Sequence, residues 1–213
     1  MNWQVKARIW REAVLISAGF MLFSFFIHYP MPLKLLAYAA LVFSSLRISK
    51  KWVNLSEFNR LAGCNVEENN LALYTSAGCL AGIFLAIAYR DYLGTSLLPV
   101  KLGLFVLAAA LIGGTEEFVF RGFLQGYTRQ ASGWGSVIFS SLAHTGYKWC
   151  LFISTAASNS TDLITLALWT FVAGILFGTL RHLSGSIFPP VAGHAIFDII
   201  VYGEYSQAPW WVW

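Results

Sequence analysis

Six ionisable residues lie inside apolar stretches of this chain: Glu116, Glu117 and Arg121 in one, His144 in a second, His194 and Asp198 in a third. Ionisable groups are costly in hydrocarbon. They occur there when they pair, line a wet cavity or do chemistry. The types present suit hydrolysis of an acyl bond, which needs a base for water, a donor for the developing oxyanion and water itself at one point. On a helix Glu117 and Arg121 are i,i+4 neighbours and can pair. Glu116 points about 100° away from Glu117 and faces a different neighbour. The expectation is that Arg121 neutralises one glutamate, with a structural role, while the other is free to face a cavity. His194 and Asp198 share a helical face by the same spacing. Ser140 and Ser141 lie one turn before His144, near enough to bond close to it.

Composition says what must hold these groups. The chain is 57% hydrophobic and 11% charged over 213 residues, with a mean hydropathy of +0.62, where a soluble domain is about one quarter charged. This predicts an all-α, polytopic transmembrane helical bundle of about seven to eight helices, forming a single integral membrane domain over 1–213. The expected spans are Ala13–His28, Leu33–Leu46, Leu71–Tyr89, Val100–Arg129, Trp134–Ile153, Leu163–Leu180 and Ile187–Tyr202. A polar loop is expected from Arg47 to Asn70, a small one from Ala156 to Thr161, and an interfacial aromatic anchor in the tail from Ser206 to Trp213. The basic start does not read as a cleavable signal, because the first apolar run ends in His28-Tyr29-Pro30-Met31-Pro32 rather than in small residues.

The net charge of +4 does not suggest nucleic acid, since basic residues cluster at span ends, as topology signals do. Lys6, Arg8, Arg11, Arg47, Lys50, Lys51, Arg60, Arg129 and Arg181 fall on one side, Lys34, Arg90, Lys101 and Lys148 on the other. This bias predicts a cytoplasmic N-terminus. It lets the three ionisable segments meet in the cytoplasmic half, with Glu116 about 24 Å along its span, His144 about 15 Å and His194 about 10 Å along theirs. Three cysteines, Cys64, Cys79 and Cys150, give neither a disulfide framework nor a zinc knuckle.

The ordered pattern resembles the CPBP (Abi) intramembrane proteases, which include the type II CAAX prenyl endopeptidases. Their EExxxR motif stands here as Glu116-Glu117-Phe-Val-Phe-Arg121, their FxxxH motif ends at His144, and their HxxxN/D motif stands as His194-Ala-Ile-Phe-Asp198. The second motif departs from the pattern, with Ser140 where phenylalanine is expected and Phe139 one residue early. The third has Asp198 where asparagine is common. The resemblance covers roughly 100–202, the protease-like core. It implies glutamate-dependent peptide hydrolysis, with Glu116 as general base, His144 helping to hold the water, His194 with Asp198 stabilising the oxyanion, and Glu117 and Arg121 supporting. It implies no cofactor, a membrane-anchored protein or peptide as substrate, the lipid bilayer as surroundings and no nucleic-acid partner. The setting implied is a multi-pass protein of a bacterial or archaeal inner membrane.

Other readings compete. Glu116, His144 and His194 could bind zinc in a metal-dependent protease, though His-Glu-x-x-His is absent. There is no Gly-x-Ser-x-Gly elbow and no Ser–Lys dyad for a serine nucleophile. The buried charges could line a transporter, against which the chain lacks paired halves with matching broken helices. The same cluster could belong to a non-catalytic scaffold or immunity protein. Gly174-x-x-x-Gly178 predicts a close helix contact.

Overall fold

The computed structural model describes residues 1–51, 54–64, 70–154 and 162–206. Every regular element among them is helical: α1 (Trp3–Phe26), α2 (Lys34–Ser49), α3 (Leu55–Ala62), α4 (Leu71–Tyr92), α5 (Phe105–Glu117), a π-helical segment (Phe118–Leu124), α6 (Gln125–Arg129), α7 (Gly133–Ile153), α8 (Leu163–Ser184) and α9 (Phe188–Val201). The helices α1, α4 and α8 are long and apolar enough to cross a membrane. The apolar surface is turned outward as a membrane requires: Leu80, Phe84, Leu104, Leu107 and Leu111 are all exposed. In water such a surface would drive association. In lipid it is the solvated face. The expected loop 156–161 and most of the expected aromatic tail lie outside the described residues.

The expected fourth span is one unbroken helical run made of α5, the π segment and α6. In its middle the backbone bonds widen from i→i+4 to i→i+5, a rare geometry concentrated at functional sites. Five successive residues there, Phe120 to Leu124, are buried. The run is enclosed, touching α1, α3, α7 and α8.

Backbone-to-backbone approach sets the neighbouring helices. Gly78 and Gly82 on α4 meet Pro189 and Gly193 of α9 so closely that a Cβ on either would stand 2.2 Å and 2.0 Å from the facing carbonyl oxygens. Pro189 and Pro190 are tolerated because the first turn of α9 has no intrahelical use for their missing N–H groups. The expected Gly174–Gly178 contact forms between α8 and α7, with Gly174 against Ser141 and Gly178 against Val137. The bare Gly178 carbonyl accepts Gln125 Nε2 at 2.7 Å.

The stretch expected as a polar loop contains α3. Asn54 caps it by accepting the Glu57 N–H at 2.9 Å, and Gly63 ends it in the left-handed region at φ 73°. A side chain at Gly63 would also collide with the Arg181 guanidinium, which donates to the Leu61 carbonyl at 3.2 Å. At the other end, Arg90 closes the bundle and is not an exposed topology signal. It is 3% exposed and donates to the Ser96 carbonyl at 2.6 Å, the Ile200 carbonyl at 3.1 Å and Glu204 Oε2 at 3.3 Å. Glu204 Oε1 accepts the Val100 N–H at 3.0 Å. That N–H, then Arg90, hold the Glu204 carboxyl below the ordinary range. The contact therefore persists above that range and loosens as pH falls through the lowered value.

Candidate active site

The wide π turn and its flanks bring the first motif inward. Glu117 and Arg121 are both fully buried and pair at 3.0 Å, as the i,i+4 spacing predicts. Arg121 Nη1 also lies 2.7 Å from His144 Nδ1. A guanidinium can only donate, so His144 Nδ1 accepts, and the ring proton of the neutral imidazole sits on Nε2. That edge faces Glu116 Oε2 at 3.1 Å. Arg121 thus sets the tautomer of His144 and thereby what His144 presents to Glu116.

Three details of the site add to or depart from the expectations. Glu116 faces the cavity, as expected, but it is held there by partners. Besides His144, its Oε1 accepts Lys148 Nζ, a residue expected as a topology charge. Lys148 stands at i+4 from His144 on α7, and that spacing to a motif histidine was the signal in the sequence that could have found it. Secondly, His194 is oriented chiefly by Glu117, since its Nδ1 donates to Glu117 Oε1 at 2.8 Å, while its Nε2 lies 3.7 Å from Asp198 Oδ2. Glu117 therefore receives both Arg121 and His194. Thirdly, Ser140 and Ser141 do not bond to His144. Both turn back to the Val137 carbonyl, at 3.1 and 2.8 Å.

The missing motif phenylalanine has a substitute from another helix. Phe120, in the π segment, stacks on His144 with ring centroids 4.5 Å apart and planes at 25°. Phe139 instead meets Trp10 edge-on at 5.2 Å. Phe177 of α8 stacks on His194 at 5.7 Å. Each imidazole is thus held flat by an aromatic ring and oriented by a glutamate or arginine.

All six motif residues and Lys148 line one cavity of about 370 Å³. Its remaining wall is apolar and aromatic, with Leu85, Tyr89, Phe105, Leu151, Trp169 and Phe197 among the lining residues. Polar groups converge at one end of an otherwise apolar space, as in sites for small or extended apolar ligands. Among the described residues, no group of three or more His, Cys, Asp and Glu side chains is arranged to hold a metal ion.

Space for α9 at this point depends on Gly113. A Cβ there would stand 2.2 Å from Asp198 Oδ2 and 2.9 Å from His194 Cδ2. The obstructing atoms belong to side chains, so the fold can yield where the site cannot. Gly113→Ala is expected to cost turnover about 10²-fold, the scale of a 1 Å misplacement, with little change in the unfolding midpoint of the detergent-solubilised protein. Parallel loss of midpoint and activity would instead assign Gly113 to packing.

No curated protein and no solved structure matches the chain. A family model described as type II CAAX prenyl endopeptidase Rce1-like matches residues 98–200, just under half of the chain. That stretch contains every motif residue and Lys148, and the match supports a protease and a membrane protein. Consistent with the CPBP resemblance of its motifs, residues 98–200 of this protein are similar to the Rce1-like type II CAAX prenyl endopeptidases.

Proposed function

We propose that this chain is an intramembrane endopeptidase that hydrolyses a peptide bond in a membrane-associated protein or peptide, with Glu116 activating the water. The observation that carries the reading is the convergence of Glu116, His144, His194 and Asp198, from three helical runs, on one cavity with an apolar wall. Glu116 takes a proton from water as the oxygen attacks the peptide carbonyl carbon. The carbonyl oxygen becomes an oxyanion that accepts from Nε2–H of His194, a donor when the ring carries both protons with Nδ1–H on Glu117, and from Asp198 with its carboxyl protonated. Collapse breaks the C–N bond, and the proton held by Glu116 passes to the leaving nitrogen. Donors preset in a water-poor cavity act strongly on such charge and need no reorganisation.

His144 acts in this scheme on Glu116 itself, presenting Nε2–H to it. A substrate carrying a prenylated CAAX tail is one fit to the apolar wall, and a signal peptide or peptide pheromone is another. Metal dependence is disfavoured by the donor arrangement: His144 has one nitrogen on Arg121 and the other on Glu116, and His194 has Nδ1 on Glu117.

The test is reconstitution. The purified chain is placed in phosphatidylethanolamine–phosphatidylglycerol vesicles with membrane proteins extracted from cells lacking it, and new termini are read by mass spectrometry. New termini that persist through treatment with a zinc-stripping chelator support the glutamate reading. Termini that vanish with the chelator and return with zinc contradict it. A peptide spanning the site so found then serves as the kinetic substrate.

A further inference from the structure

The geometry points to Lys148 as a positioning residue for Glu116: an ammonium one helical turn beyond His144 that holds the carboxylate opposite the imidazole and supplies its counter-charge. This inference rests on the peptidase reading above.

Two glutamates stand side by side in the cavity wall, and each is held by one cation and one imidazole. Glu117 has Arg121 and His194. Glu116 has Lys148 and His144. The Arg121 guanidinium is spent on Glu117 and His144, and His144 is neutral by its tautomer, so among the described residues Lys148 is the cation hydrogen-bonded to Glu116. A carboxylate removed from water needs such a partner.

The position of Lys148 argues against a bystander. It lies in the last two turns of α7, and a lysine near a helix end in a bilayer can snorkel toward the polar headgroups. Lys148 turns inward instead. Its side chain is 21% exposed where that of Arg121 is wholly buried, and it lines the cavity. Its ammonium lies 5.9 Å from the Tyr147 ring centroid, which helps hold it there. Lys148 and His144 thus grip Glu116 from a single helix face and fix how the carboxylate is presented to the cavity.

The experiment measures turnover of the peptide substrate by wild type, Glu116→Gln, Lys148→Met, Lys148→Gln and Lys148→Arg in the same vesicles, with unfolding midpoints recorded in parallel. Lys148→Met and Lys148→Gln are expected to lose about 10- to 100-fold in kcat with KM unchanged, the signature of a group that acts only on the chemical step. Lys148→Arg, which keeps the charge, is expected to recover most of the rate. Wild-type kcat in folded Lys148→Met overturns the inference, as does equal loss in the Met, Gln and Arg variants. If Lys148→Met does not accumulate, Lys148→Gln, which keeps a donor without the charge, decides alone. Silence of Glu116→Gln with full activity of the Lys148 variants would remove Lys148 and leave the peptidase reading standing. Full activity of Glu116→Gln would remove both.

Discussion

Replacing Glu116 by glutamine is expected to lower peptide cleavage by about 10²- to 10⁴-fold, the range for loss of a general base. The protein should still accumulate. Glutamine keeps the shape, but its amide has one acceptor oxygen where the carboxylate has two. Both facing groups are donors: Lys148, and His144 through the Nε2–H fixed by Arg121. One must face the amide NH2, so the variant leaves a buried donor unsatisfied, at a cost of about 1–3 kcal/mol. Kinetics in vesicles and thermal unfolding in detergent check both parts. A large loss of rate with a modest loss of midpoint is the expected pattern. A large midpoint loss with a normal rate for the folded fraction would place Glu116 among structural groups.

The largest effect on stability is expected at Arg121. Its guanidinium is wholly buried, pairs with Glu117 and donates to His144. Arg121→Met fills similar space but leaves Glu117 with His194 as its remaining partner and frees the tautomer of His144. Breaking a buried pair by removing one partner costs about 3–5 kcal/mol, enough to deplete the folded protein, since total stability is about 5–15 kcal/mol. Size-exclusion chromatography and unfolding midpoints in detergent report the loss. The double variant Glu117→Gln/Arg121→Met removes both charges and is expected to recover part of the midpoint without recovering cleavage. A single variant as stable as wild type would mean that the pair does not hold the helical run.

Much of this was legible in the residues, for identifiable reasons. Long apolar runs left little freedom in where α1, α4, α7 and α8 lie, and a carboxylate and guanidinium at i,i+4 inside such a run have each other within reach. The Gly174–Gly178 contact was legible because small residues at that spacing expose backbone. What escaped was of two kinds. At α3 the signals are local but short and set in a polar stretch: Asn54-Leu55-Ser56-Glu57 is a capping pattern followed by a terminating Gly63. Tertiary choices had no local signal: that His194 answers to Glu117 across 77 positions, that Phe120 takes the place over His144 of the missing motif phenylalanine, and that the backbone widens to a π turn. Lys148 and Arg90 share one cause. Each reads in the sequence as a topology charge because basic residues near span ends usually are, and each is instead turned inward by a carboxylate distant in the chain, Glu116 of α5 for Lys148 and Glu204 in the turn after α9 for Arg90.

The central claim is that Glu116 makes this chain a peptidase in its own membrane. The most direct measurement compares protein termini in membranes of cells carrying wild type, a deletion and Glu116→Gln at matched protein level. The account predicts that the deletion and Glu116→Gln lose the same cleaved terminus. A deletion that loses it while Glu116→Gln retains it at the wild-type level would contradict catalysis at Glu116.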